Sequence, residues 1–221
     1  MRTVIKLEHV SKKFSEEQVL KDVCFEFQEG KIYGIVGNNG SGKTVLMKCI
    51  CGFLNPSSGK ILVNYKEIGK DVDFPEDIGV IIETPGFLPN LTGMKNLEIL
   101  ASLQHKIGKE RIQEVLQIVG LDPKLKKPVS KYSLGMRQRL GIAQAVMEDP
   151  SILILDEPFN GLDKKGVKQM HELILSLKGE RKTILLSSHS QNDIDVLCDT
   201  VCEMDAGTMT CIRERAGERD G

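Results

Sequence analysis

The eight residues Gly37-Asn38-Asn39-Gly40-Ser41-Gly42-Lys43-Thr44 constrain this chain more than any other stretch. They follow an apolar run at 31–36 that reads as a buried strand, and a helical pattern begins near Lys43. Glycines in such a turn let the backbone wrap closely enough to aim its N–H groups at phosphate oxygens, at a helix N-terminus whose dipole favours anions. The segment matches G-x-x-x-x-G-K-[ST] at every fixed position. On this reading Gly37, Asn38, Asn39, Gly40, Ser41 and Gly42 form the cradle. Lys43 reaches the β- and γ-phosphates, and Thr44 offers its hydroxyl to Mg2+.

A second constraint sits at 152–155, a wholly apolar strand that ends in Asp156-Glu157. Such a strand delivers Asp156 to the C-terminal edge of a parallel sheet, where nucleotides bind. There Asp156 would hold Mg2+, and Glu157 would polarise a water for in-line attack on the γ-phosphate. The next apolar run, 184–188, ends in His189, which is thereby expected near Glu157 and the γ-phosphate. His9, His105 and His171 have no such placement and are assigned no role.

The rest of the chain alternates short apolar runs with helical patterns. Strands are expected at 4–10, 19–27, 31–36, 60–65, 78–82, 152–155, 183–187, 200–204 and 208–212. Helices are expected at 96–103, 109–119, 135–147 and 165–177. This is an α/β fold with a predominantly parallel core and a helical insertion in its middle. At 221 residues the chain suits one domain with an inserted subdomain. The expected division is 1–88 and 148–212 for the core, 89–147 for the helical part, and 213–221 for a charged, frayed tail.

Lys+Arg 30 against Asp+Glu 31 gives a net charge of -1, which argues against binding nucleic acid through bulk positive charge. No run approaches the ~20 apolar residues of a membrane span, and the first ten residues lack the apolar segment of a secretory signal. A soluble intracellular protein is the expectation. Its six cysteines form no C-x-x-C pair and are read as reduced, mostly buried thiols. A metal site from Cys49, Cys51, Cys198 and Cys202 is the remote alternative, and the sequon at Asn90 is idle.

The stretch Tyr132-Ser133-Leu134-Gly135-Met136-Arg137-Gln138-Arg139, just ahead of the second acidic strand, separates this chain from other phosphate-loop proteins. Ser133 is a natural N-cap, and Gly135 leaves the backbone open to a phosphate. At this point the chain resembles the nucleotide-binding subunits of ATP-binding cassette (ABC) transporters over about residues 3–212. The eight residues stand where that family has its signature, Asn160-Gly161-Leu162-Asp163 where it has the D-loop, and Phe14 where an aromatic ring stacks on adenine. The resemblance implies a P-loop NTPase fold with an N-terminal antiparallel β subdomain, and ATP and Mg2+ as ligands. It implies a head-to-tail dimer, identical or paired, in which Ser133, Gly135 and Asp163 complete the partner's site. It also implies separate membrane subunits, docking near Phe87, Leu88, Leu91 and Met94.

Two departures stand out. Tyr132, Leu134 and Met136 replace consensus Leu, Gly and Gln. Glu83, in Ile81-Ile82-Glu83-Thr84-Pro85-Gly86-Phe87, replaces the usual Gln that approaches Mg2+ and the attacking water. The phrase from Ile81 to Leu100 looks like the branch handling peptide antibiotics, which includes bacitracin and lantibiotic exporters. The implied function is the ATPase of such an exporter, seated on the inner face of the membrane. The competing class is a soluble ABC ATPase acting on a macromolecule.

Overall fold

The computed structural model describes residues 2–83 and 86–215. In chain order the elements are β1 (Thr3–Phe14), β2 (Glu17–Gln28), β3 (Ile32–Val36), α1 (Lys43–Ile50), β4 (Ser58–Val63), β5 (Lys66–Glu67) and β6 (Ile78–Ile81). There follow α2 (Gly93–Gln104), α3 (Lys109–Ile118), α4 (Leu134–Val146), β7 (Ile152–Leu155), α5 (Lys164–Gly179), β8 (Thr183–Ser187), α6 (Gln191–Leu197), β9 (Thr200–Asp205) and β10 (Thr208–Glu214).

Two sheets form. One is antiparallel, ordered β2-β1-β4-β5, and the other runs β10-β9-β3-β8-β7-β6 with parallel pairing from β9 to β6. Strands β7 and β8 are buried on both faces, which explains why they read as unbroken apolar runs. Their side chains still alternate. Ile152, Ile154 and Leu185 point toward a core shared with the antiparallel sheet and α1, where Ile5, Leu7, Phe27, Leu46 and Ile50 lie. Leu153, Leu155, Ile184 and Leu186 point to the opposite core, filled by helices α2 to α6.

Helix starts are set by their caps. Thr92 Oγ1 accepts from Lys95 N at the start of α2, and Asp163 Oδ1 accepts from Gly166 N at the start of α5. Among the described residues no helix is long and apolar enough to cross a membrane.

Two expectations need correction. The charged tail does not begin at 213: β10 continues to Glu214, because Arg213 pairs with Asp195 of α6 and Arg215 N donates to Asp199 O at 2.7 Å. Residues 216–221 of that expected tail lie outside the described residues. The cysteines are free and mostly buried, as expected, and it is the remote metal alternative that fails. Cys49 and Cys51 lie in the first core and Cys198 in the second, and burial pushes their thiols up to about 11, 12 and 12. They are protonated, inert packing groups, while Cys24 and Cys211 are exposed. Helix α6 and strand β5 carry no periodicity strong enough to be expected from sequence.

Candidate active site

Strands β3, β8, β7 and β6 are consecutive neighbours and all parallel, so their C-terminal ends line up along one edge. From that edge emerge the Gly37–Thr44 loop, Ser187 to His189, Asp156-Glu157 and Glu83. The topology alone therefore collects groups that are far apart in sequence. A shallow cavity of about 200 Å3 lies there, lined among others by Asn39, Gly40, Lys43, Thr44, Asp156, Glu157 and His189.

The loop geometry follows from its glycines. Gly37 has φ 140°, and a Cβ on it would sit 2.2 Å from Met204 O, so no other residue fits. The α1 N-terminus has no side-chain cap, which leaves its first N–H groups free of internal competition. Ser41 Oγ is buried with no partner among the described residues. Lys43 Nζ donates to Gly37 O at 2.7 Å and Asn38 O at 3.0 Å, so its ammonium hangs over the loop. These are the features of a phosphate cradle.

Thr44 Oγ1 donates to Asp156 Oδ2 at 2.7 Å. Ser187 Oγ donates to the other oxygen, Oδ1, at 2.6 Å, and itself accepts from Glu157 N at 2.9 Å. A hydroxyl and a carboxylate in contact beside a phosphate loop suit a small hard cation that takes oxygen ligands. The donor set thus fits Mg2+.

Glu157 adopts φ 50°, a left-handed conformation that costs about 1–3 kcal/mol for a residue with a side chain. Its carboxylate lies 3.3 Å from His189 Nε2. Burial is the largest cause acting on it and raises its pKa; His189 opposes the rise and Asp156 adds to it. Gln138 Nε2 of α4 donates to Glu157 O at 3.2 Å, tying the helix after Ser133 to this strand end.

The other expected residues lie elsewhere. Phe14 is exposed at the end of β1, with Lys12 Nζ 5.0 Å from its ring centre. Ser133 Oγ caps α4 by accepting from Met136 N at 3.1 Å. Gly135 abuts the D-loop of the same chain: a Cβ there would stand 2.7 Å from Gly161 O. Asp163 is engaged in capping α5. Neither Ser133, Gly135 nor Asp163 lines the phosphate cavity of its own chain. Glu83 has a neighbour that sequence did not suggest, Lys48 Nζ at 2.6 Å, one helical turn beyond Thr44. Thr84 and Pro85 beside it lie outside the described residues. Of the four apolar docking candidates, Leu88 is well exposed, while Phe87 and Met94 pack against the helical core.

The Gly135 contact makes a measurable demand. Gly135→Ala pushes α4 off the D-loop, with an expected cost of about 1–3 kcal/mol from overpacking. Urea unfolding without nucleotide reads this. Unchanged stability would mean the contact is dispensable.

Sequence reading passed over a buried chain of groups beneath His189. His171 Nε2 meets Asp193 Oδ1 at 3.0 Å, and Asp193 Oδ2 accepts from Ser188 Oγ at 2.7 Å. The His171 ring also sits edge-on to Phe159, with centres 4.9 Å apart. This network joins α5 to α6 and holds the segment from which His189 projects. Its only sequence signal is the pair of serines ahead of His189.

Comparison with known proteins agrees with this geometry. The ABC transporter family model matches residues 20–160. The bacitracin transport ATP-binding protein BcrA of Enterococcus faecalis is 41% identical over 94% of this chain and 68% of its own length. The lantibiotic transport ATP-binding protein SrtF of Streptococcus pyogenes is 34% identical over 98% of this chain and 93% of its own. Among solved structures, the dimeric ATP-binding cassette MJ0796 bound to ADP and Pi superposes with a TM-score of 0.86 at 23% identity, covering 96% of this chain and 100% of that one. The chain belongs to the ABC transporter family, as an ATP-binding subunit that binds ATP with Mg2+ and hydrolyses it.

Proposed function

We propose that this subunit powers the export of a peptide antibiotic or similar compound, as part of resistance or self-immunity. The observation that carries the reading is similarity over 94% and 98% of this chain to BcrA and SrtF, whose names give bacitracin and lantibiotic transport. In this reading residues 1–88 and 148–212 are the hydrolytic core, and 89–147 are the helical arm bearing Ser133. The subunit sits at the cytoplasmic face of the membrane, held there by separate membrane subunits that meet exposed apolar groups such as Leu88.

Hydrolysis is divided among the residues of the sheet edge. The N–H groups of the Gly37–Thr44 loop and the Lys43 ammonium bind the phosphates, and Phe14 offers its face to adenine. Thr44 and Asp156 would hold Mg2+, and Glu83, once released from Lys48, would approach the same region. When bound, Mg2+ neutralises charge on the β- and γ-phosphate oxygens. Glu157 orients the attacking water and takes its proton, and its raised pKa suits a base. His189, 3.3 Å from the Glu157 carboxylate, touches the γ-phosphate or positions the attacking water. Ser133 and Gly135 start a helix that faces the γ-phosphate of a second cassette, with Asp163 at the same junction. Their distance from the chain's own phosphate cavity supports a site completed in trans, in a head-to-tail homodimer or a paired cassette.

The test is a tagged pull-down from gently detergent-solubilised membranes of the native host. The expected result is a stoichiometric polytopic membrane protein. Recovery of soluble proteins or ribosomes alone, from well-extracted membranes, would overturn the transporter assignment.

A further inference from the structure

We propose that the β1–β2 hairpin carries a divalent transition-metal site made by His9, Asp22 and Cys24, separate from the nucleotide site. The three donor atoms all lie within 4.8 Å of one another, and all three residues are exposed. His9 Nδ1 is 2.8 Å from Asp22 Oδ1 and 3.6 Å from Cys24 Sγ, so one ring nitrogen faces an oxygen and a sulfur together. His9 N donates to Cys24 Sγ at 3.2 Å, which fixes the sulfur beside the imidazole.

The backbone is bent to make this cluster. Between the pairs Leu7↔Phe25 and Val10↔Val23, β1 has two residues where β2 has one. Between Val10↔Val23 and Lys12↔Leu20 the excess is reversed, with two residues on β2 against one on β1. The extra residues include His9 and Asp22, both at φ 52°. Two opposed bulges thus flank the buried Val10–Val23 pair, and each places a metal-binding side chain on the outer face next to Cys24. Left-handed backbone costs a residue with a side chain about 1 kcal/mol or more, and neither position is glycine.

The donor set selects the ion. Imidazole, carboxylate and thiolate suit Zn2+ or Co2+, at bond lengths of about 2.0–2.3 Å that put tetrahedral donors about 3.3–3.6 Å apart. The Nδ1–Sγ distance already falls there, and the Nδ1–Oδ1 distance opens by about half an ångström. Mg2+ demands oxygen ligands and does not compete. Three protein ligands leave a fourth position to water or to a donor from outside the chain. Binding releases the Cys24 thiol proton to solvent, while the neutral imidazole coordinates through Nδ1 and keeps its one proton on Nε2.

Co2+ titration of the full chain without nucleotide, in millimolar Mg2+, tests the site through the thiolate-to-cobalt charge-transfer band. The expected result is a band saturating at one equivalent and erased by equimolar Zn2+. Cys24→Ser abolishes it, and His9→Ala weakens affinity by about tenfold or more. Cys211→Ser, which removes the other exposed thiol, leaves it intact. Far-ultraviolet circular dichroism and unchanged Mg2+-ATPase activity of His9→Ala show that the fold persists. Absence of the band, its survival in Cys24→Ser, or its loss in Cys211→Ser would overturn the proposal.

Discussion

Glu157→Gln should lower ATP turnover by about 10²–10⁴-fold while ATP and Mg2+ still bind. The amide keeps the size and reach of the side chain but does not accept a proton. Its backbone anchors, Glu157 N to Ser187 Oγ and Gln138 Nε2 to Glu157 O, do not involve the carboxylate and should persist. With hydrolysis blocked, an ATP-bound dimer should accumulate on size exclusion. A strictly monomeric variant at saturating ATP would count against the head-to-tail arrangement.

The pH dependence of this residue has a definite sign. Burial raises its pKa, so the acid limb of the wild-type activity profile should lie above the ordinary glutamate range and vanish in Glu157→Gln. A raised folded-state pKa means that the neutral form is the one folding favours. Its contribution to stability is complete below the unfolded pKa and is lost as pH rises through the folded value. At neutral pH the ionised carboxylate therefore costs stability, and Glu157→Gln should unfold at a higher temperature. A lower melting temperature would contradict desolvation as the main cause.

Lys43→Ala should reduce ATP affinity by about 100-fold or more. The side chain supplies charge-assisted hydrogen bonds worth about 1.5–3 kcal/mol each, and about 2.8 kcal/mol corresponds to 100-fold. It also pins the loop through Gly37 O and Asn38 O, so its removal leaves two carbonyls without that donor as well as unbalancing phosphate charge. Lys43→Arg should not restore affinity, because a planar guanidinium does not fit a cradle shaped around a compact ammonium. Isothermal titration with ATP reads the loss. Unchanged affinity would remove the phosphate-loop assignment, and urea unfolding without nucleotide separates loss of binding from loss of fold.

The elements that sequence located best are those whose burial is the same from every side. Strands β7 and β8 are apolar along their whole length because cores press on both faces, and their bounds coincide with the runs read from sequence. The phosphate loop was legible because its glycines, lysine and threonine are demanded by local backbone geometry and ligand chemistry within eight residues. Asp156 and Glu157 were legible because a buried strand must release its first polar residues at the sheet edge, and His189 because it follows the end of β8 by two residues.

What sequence did not reveal depends on partners far along the chain. Two-residue β5 exists through its register with β4, Leu62↔Glu67 and Val63↔Lys66. Helix α6 is too short for a periodic pattern and rests on the Ser190 cap, His171–Asp193 and Arg213–Asp195. Glu83 meets Lys48 because β6 ends beside α1. Ser187 reaches Asp156 because β8 and β7 are neighbours. The residues near one another on the chain, and the chemistry their types allow, were determined by sequence alone. The pairing of charges, the opposed bulges that join His9, Asp22 and Cys24, and the seating of Gly135 on Gly161 were decided by tertiary structure, since strand order and register set those distances and no local pattern encodes them.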